Sequence, residues 1–199
     1  MYQVYHSDCF QWLREQKPVS LHAVCTDPPY GAYEPWMLFR KPIEGRTVAE
    51  NLHRWKTGGL RCIGQNRPLP DAIPSGRSPD REESISKHPC LKPQHFMRII
   101  VRALLPLGQG IILDPFMGSG STIAAAEAVG YRSVGVEIDA EYYRLAEGAI
   151  PRLGALYPRF KGDELELNAE YRQVPERPEE QMTFALTEWP SERRTATAL

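Results

Sequence analysis

The sequence predicts an α/β fold in which a mostly parallel, doubly wound sheet is covered by helices. An apolar run at 110–113 indicates a strand, a glycine-rich turn follows it, and an alanine-rich helix spans 122–129. A second strand at 131–136 and a helix from 140 to about 156 come directly after. Strand, glycine-rich turn, helix, strand and helix, in this order, are typical of the nucleotide-binding half of a doubly wound sheet.

The remaining predicted elements precede this unit. Residues 2–6 form a short strand, and Asp8 can cap a helix over 9–15. Residues 21–26 are a compact apolar run, which is typical of a buried parallel strand, and two prolines soon afterwards end it. Apolar side chains recur at helical spacing over 93–105. These elements extend the sheet and its helical layers.

Composition limits the classes of protein to be considered. We expect one domain over 1–157 with a loop-rich, basic insertion at 40–87, and a polar tail over 158–199 that is partly disordered. The net charge of −1 gives no global basic field, so any contact with nucleic acid needs a local patch. The four cysteines lack CxxC spacing, so no metal site is expected. The sequence shows neither a signal pattern nor a membrane-length apolar run, which favours a cytoplasmic protein without a membrane partner.

The glycine-rich turn is the first candidate site. It reads Asp114-Pro115-Phe116-Met117-Gly118-Ser119-Gly120-Ser121. Two glycines let a ligand approach the backbone, and the helix start favours an anionic group. Glu137 ends the next strand about 20 residues later, where an acid accepts both hydroxyls of a ribose. The alternative is a tight structural turn with Glu137 merely solvated.

Residues that are missing from this turn disfavour some classes of ligand. The motif is not GxGxxG, and no lysine follows it, which disfavours a pyrophosphate or a phosphate-gripping loop. A ligand that carries a ribose without a pyrophosphate fits better, and S-adenosylmethionine is such a ligand. Phe116 could then face its sulfonium as a cation–π partner.

The second candidate site is Asp27-Pro28-Pro29-Tyr30, which follows the predicted strand at 21–26. In an open α/β sheet the carboxyl ends of the strands form the ligand edge. A base flipped out of nucleic acid needs a stacking face and acceptors for its amine hydrogens. Tyr30 offers the face, whereas Asp27 and the Pro28 carbonyl offer the acceptors. Ordinary turn chemistry is the competing interpretation of two consecutive prolines.

At these two motifs the chain resembles the amino-group DNA methyltransferases, which modify adenine N6 or cytosine N4. Because DPPY precedes the glycine-rich motif, it looks like the circularly permuted β group of that family. His6-Ser7-Asp8-Cys9-Phe10 is similar to the family's Gly-Asp-Cys-Leu element. The segment from His88 to Pro93 is similar to its HPxxKP element. The resemblance covers roughly residues 2–156.

The resemblance implies a Rossmann-like fold, S-adenosylmethionine as cofactor and a set of site residues. Asp8 would contact the cofactor adenine, and the segment that contains Lys92 would border the methionine pocket. The implied catalytic residues are Asp27, Pro28, Pro29 and Tyr30. The implied cofactor-binding residues are Asp8, Lys92, Asp114, Phe116, Gly118, Gly120, Ser121 and Glu137.

One departure from the family concerns the segment after DPPY. Family members usually carry about a hundred residues, some two strands and two helices, between DPPY and a late strand that 33–41 resembles. Here Gly31 and Ala32 join the two almost directly. We therefore expect an abbreviated sheet.

The resemblance also implies double-stranded DNA as the substrate. DPPY favours adenine over cytosine, and a remnant that only binds cofactor or DNA is the alternative from another class. Seven basic residues at 38–67, interleaved with aromatic ones, suit contact with phosphates; a solvated loop is the competing interpretation. The basic residues are Arg40, Lys41, Arg46, Arg54, Lys56, Arg61 and Arg67. A restriction endonuclease partner and a homodimer are compatible with the resemblance, and the sequence selects neither.

Overall fold

The computed structural model describes residues 1–17, 21–25, 38–63, 68–70, 73, 75–160 and 162. All of them belong to the compact unit Met1–Glu166. The DPPY motif at 27–30 and most of the predicted tail lie outside the described residues.

The strands and helices predicted over 2–26 and 93–156 are all present. In chain order the elements are β1 (Tyr2–His6), α1 (Cys9–Arg14), β2 (Ala23–Val24), α2 (Val48–Trp55), α3 (Asp80–Glu83), α4 (Gln94–Leu104), β3 (Ile111–Asp114), α5 (Ser121–Val129), β4 (Arg132–Glu137) and α6 (Ala140–Ala155). The segment 33–41 resembles a late strand of the family, but only 38–41 are among the described residues. These four residues are not in a strand. None of the helices in the described part is long and apolar enough to cross a membrane.

The four strands form one sheet in the order β1-β4-β3-β2, and all three pairings are parallel. His6 pairs with Glu137 at the end of β1, and Asp114 pairs with Gly135 at the end of β3. Because the strands are parallel, these ends meet at the same edge of the sheet. The sheet itself confirms the predicted α/β class.

Helices cover both faces of the sheet. Leu113 and Val136 pack with Cys9 and Trp12 of α1 on one face. The neighbouring Ile112 points to the other face, where α4 and α5 supply the core. Helix α6 packs on α5 through a further apolar cluster. The predicted doubly wound arrangement is therefore present.

The strand before DPPY differs from its prediction. The apolar run at 21–26 was expected to be a buried strand, but β2 has two residues, and Val24 is 54% exposed. The hydrogen bond from Cys25 N to Leu113 O, 2.8 Å, is the last described contact of this ladder. The expectation of full burial is wrong because β2 pairs with β3 on one side and ends the described sheet there.

The insertion at 40–87 contains more regular structure than a loop-rich segment would. Helix α2 begins after Thr47, whose hydroxyl accepts a hydrogen bond from Glu50 N at 3.1 Å. The Glu50 carboxylate accepts in return from Arg46 N at 2.7 Å. The Thr47 cap, together with the contact of Glu50 to the residue before it, starts a helix despite the polar composition.

A buried guanidinium joins α4 to the end of α6. Arg98 is fully buried and donates to backbone carbonyls at and just beyond the end of α6. The acceptors are the carbonyls of Leu153, Gly154, Leu156, Tyr157 and Phe160, at 2.7–3.3 Å. The charge also lies at the negative end of the helix dipole, which stabilises it.

We predict that Arg98→Leu lowers the free energy of unfolding by about 3–5 kcal/mol, because several carbonyls lose a buried donor and Glu82 loses a nearby opposite charge. Urea denaturation measures this change. Arg144→Leu, at an exposed position of α6, is the control and should shift the free energy by no more than about 0.5 kcal/mol. Equal effects of the two substitutions would contradict the role of Arg98.

Candidate functional site

The carboxyl edge of the sheet brings three predicted site segments together. Ser7 N, just past β1, donates to Glu137 O at 2.8 Å, which places Asp8 beside the end of β4. The glycine-rich turn leaves β3 at Asp114, next to β4. The sheet thus collects the start of α1, the turn and Glu137 in one place.

Backbone hydrogen bonds tie the turn to β4. Met117 N donates to Val136 O at 3.0 Å, and Gly118 N donates to the Glu137 carboxylate at 2.9 Å. Within the turn, the Asp114 carboxylate accepts from Phe116 N at 3.2 Å. The turn is therefore held by contacts of the chain itself.

Glycine is required at two positions of the turn. Gly118 has φ 51° and Gly120 has φ 80°, a left-handed region that other residues enter at a cost. A Cβ on Gly120 would lie 2.5 Å from Ile150 Cγ1 of α6. At Gly118 the His88 ring occupies the space, with its Cε1 and Nε2 at 3.1 Å from the position of a Cβ.

Glu137 uses each carboxylate oxygen once. Its Oε2 accepts from Gly118 N and its Oε1 from Asp139 N, each at 2.9 Å. A carboxylate offers about four lone-pair sites, so about two remain for hydroxyl groups. Nearby, burial lowers the pKa of His88, and the Glu137 charge opposes that shift. The predicted ribose acceptor is thus also the residue that fixes the turn.

Two exposed apolar side chains flank this acid. Phe116 in the turn is 58% exposed, and Ile138, directly after Glu137, is 65% exposed. Large apolar groups beside hydrogen-bond acceptors form the kind of surface that a flat aromatic ring with a sugar would cover. The residues present therefore fit an adenosine-containing ligand.

Asp8 caps a helix, as was also expected from the sequence. It is the N-cap of α1, and its Oδ1 accepts from Gln11 N at 2.8 Å. Lys92 contacts the site through its backbone, since its N–H donates to Ser121 Oγ at 3.2 Å. Ser121 is the first residue of α5.

Sequence reasoning missed three buried polar side chains behind the turn: Glu82, Gln94 and Arg98, all 0% exposed. Gln94 and Arg98 are four residues apart and share the buried face of α4. The sequence analysis identified that face from its apolar residues only. A signal existed in Gln94, which directly follows the HPxxKP segment. The partners, 12 to 62 residues away, could not be inferred.

The basic segment is partly neutralised within the chain. Arg54 pairs with Glu44 at 3.3 Å and lies 5.0 Å from the centre of the Trp55 ring. Arg40 donates to Gly58 O at 3.0 Å, and Arg61 donates to the Tyr131 hydroxyl at 3.0 Å.

Comparison with known proteins gives a consistent result. Residues 36–148 match the N6/N4 family model described as DNA methylase. The type II methyltransferase M.ScaI of Streptomyces caespitosus is 34% identical over 99 residues, 48% of this chain and 32% of that protein. The DNA adenine methyltransferase YhdJ of Escherichia coli K12 is 32% identical over 130 residues, 58% of this chain and 44% of that protein.

Among solved structures, a putative DNA modification methylase from Thermus thermophilus, complexed with S-adenosyl-L-methionine, aligns with a TM-score of 0.44 at 19% identity. The alignment covers 79% of this chain and 98% of that one. The matches to M.ScaI and YhdJ span less than half the length of those relatives.

We predict that Gly120→Ala lowers the free energy of unfolding by about 2–4 kcal/mol, because it adds both backbone strain and a clash with Ile150. Gly148→Ala is the matched control. An added Cβ at this exposed helical position meets nothing within 4 Å. The control should therefore raise the free energy of unfolding by about 0.5–1 kcal/mol. Thermal or urea unfolding measures both, and the same sign for both would refute the close packing at Gly120.

Proposed function

This chain belongs to the N6/N4 DNA methylase family, whose model it matches over residues 36–148, and from that membership we propose that it methylates DNA. The proposed reaction transfers a methyl group from S-adenosylmethionine to the exocyclic amine of a base, adenine N6. The observation that carries the proposal is the convergence of the glycine-rich turn and Glu137 at the sheet edge, beside the β2–β3 ladder. DPPY begins two residues after the last described bond of that ladder.

The proposed cofactor site uses residues from three strand ends. Glu137 would accept the ribose hydroxyls with its remaining lone pairs, and Phe116 would contact the sulfonium or methionine part. Asp8 would reach the adenine, and Lys92 would border the methionine pocket. The turn residues Asp114, Gly118, Gly120 and Ser121 complete the set. When bound, the cofactor supplies an electrophilic methyl group.

The proposed catalytic residues position the target amine. Asp27 and the Pro28 carbonyl would accept its two hydrogens, which turns the nitrogen lone pair toward the methyl donor and stabilises the positive charge that grows there. Tyr30 would stack on the flipped base, and Pro29 would stiffen the backbone. These residues would accelerate the reaction by positioning the amine, and no covalent enzyme intermediate is needed.

Three observations support DNA as the substrate and adenine as the target. The aspartate of DPPY favours adenine within the resembled family, and one relative carries the name DNA adenine methyltransferase. Basic residues of the 38–63 segment stay exposed, among them Lys41 and Lys56, and would contact phosphates.

A labelled-methyl assay on unmethylated duplex DNA tests the reaction. We predict that the wild-type chain labels DNA and that digestion yields N6-methyladenine by mass spectrometry. Asp27→Ala should lower transfer by about a hundredfold or more and leave cofactor affinity unchanged, because its role is toward the amine. Glu15→Ala, at an exposed site, is the control.

Three other outcomes of the assay would each contradict the proposal in a different way. Cofactor binding without label in DNA would mean that the chain binds the cofactor but does not methylate DNA. N4-methylcytosine would reassign the base. Loss of cofactor affinity in Asp27→Ala would reassign that residue.

The ribose contact has its own test. Glu137→Gln keeps an oxygen for Gly118 N but removes the charge, so we predict a weaker affinity for S-adenosylmethionine by about tenfold or more. Isothermal titration calorimetry measures the dissociation constant. Glu141→Gln, an exposed position in the first turn of α6, is the matched control. An unchanged affinity in Glu137→Gln would remove the ribose contact from the proposal.

A further inference from the structure

The start of α5 is not capped by its own sequence. Its N-cap is Gly120, which has no side chain to accept an amide, and the glycine-rich turn runs straight into it. Exposed helix starts are usually fixed by Ser, Thr, Asp or Asn at this position. The first residue of α5 therefore needs contacts from elsewhere to hold its place.

The segment 92–94 does not replace the missing amide acceptor, but its donors hold the oxygens of the first residue of α5. The Gln94 side-chain nitrogen donates to Ser121 O at 3.0 Å, and Lys92 N donates to Ser121 Oγ at 3.2 Å. Both oxygens of the first residue of α5 are thus bound from one neighbouring segment. Gln94 Oε1 has no partner within the described part of the chain, so the Ser121 bond alone sets the rotation of the amide.

Glu82 fixes Gln94 from behind. The Glu82 carboxylate accepts from Gln94 N at 2.9 Å, and neither residue is exposed to solvent. Burial raises the pKa of Glu82, while hydrogen bonds from the Gln94 backbone N–H and the Tyr157 side chain and the nearby Arg98 charge lower it. Buried polar groups of this kind keep their orientation because no water can replace their partners.

We propose that Gln94 is a positioning residue for the cofactor site: held by Glu82, it anchors Ser121 and so presets the turn from Asp114 to Gly120 before any ligand binds. This inference rests on the proposed function. It assigns to the HPxxKP-Gln segment a role that is separate from direct contact with the ligand.

The energetic consequence follows from preorganisation. A turn that is already ordered incurs no ordering cost when a ligand binds, whereas a loosened one does. Loss of the Ser121 anchor should therefore lower affinity without removing any group that touches the ligand. A purely structural role would lower stability and leave affinity unchanged at temperatures well below Tm.

The test compares Gln94→Met, which keeps size but removes the amide, with Gln94→Asn, which keeps the amide but shortens its reach. Gln94→Asn removes one methylene and retains polarity. It therefore still tests the proposal if Gln94→Met does not fold. Gln109→Met, at an exposed glutamine after α4, is the matched control. Each full-length chain is measured for Tm, for S-adenosylmethionine affinity by calorimetry, and for amide hydrogen exchange over residues 118–124.

Both Gln94 variants are expected to speed exchange at 118–124 and to weaken cofactor affinity, each by about tenfold, while the control stays at the wild-type values. Wild-type exchange or wild-type affinity in both folded Gln94 variants would overturn the proposal. If the wild-type chain itself binds no S-adenosylmethionine, the proposed function fails. The exchange measurement still decides whether Gln94 holds the turn.

Discussion

The rest of the described structure depends on the burial of the Arg98 guanidinium. A guanidinium carries only donors, so it is tolerated without solvent only where acceptors surround it, and here the acceptors are carbonyls at the end of α6. This requirement brings α4 and the end of α6 together. The Arg98 charge also lies near Glu82, which binds the start of α4 through Gln94 N, and the Gln94 side chain in turn binds Ser121 after the glycine-rich turn. A polar network in the core thus determines where the apolar helices pack.

Single residues also serve two purposes at the sheet edge. Glu137 closes β4, and its carboxylate accepts hydrogen bonds from the amides of Gly118 and Asp139. Ile150 fills the volume that a side chain at Gly120 would need. The turn is therefore fixed from both sides, by the strand before α6 and by α6 itself.

Sequence patterns predicted the fold well where local signals decide it. The strand β1 has its expected bounds and the capped helix α1 ends one residue earlier than expected, because their signals, such as the Asp8 cap, act within a few residues. Helix α2 was missed although Thr47 and Glu50 carry the capping signal, since the composition around them is polar. The burial of β2 was overestimated because its apolar run does not reveal what lies beyond the last strand. Long-range contacts such as that of Glu82 with Gln94 produce no periodic pattern in the sequence, so they could not be predicted from it.

The brevity of β2 has a dynamic consequence. β3 and β4 are each paired on both sides, whereas β2 is held within the described sheet by a few bonds to β3 alone. Strands with few ladder bonds and exposed side chains, such as Val24, open at lower free energy than the centre of a sheet. Within the described sheet, the strands that lead to Asp114 and Glu137 therefore form the more stable part, and β2 is the part that opens first.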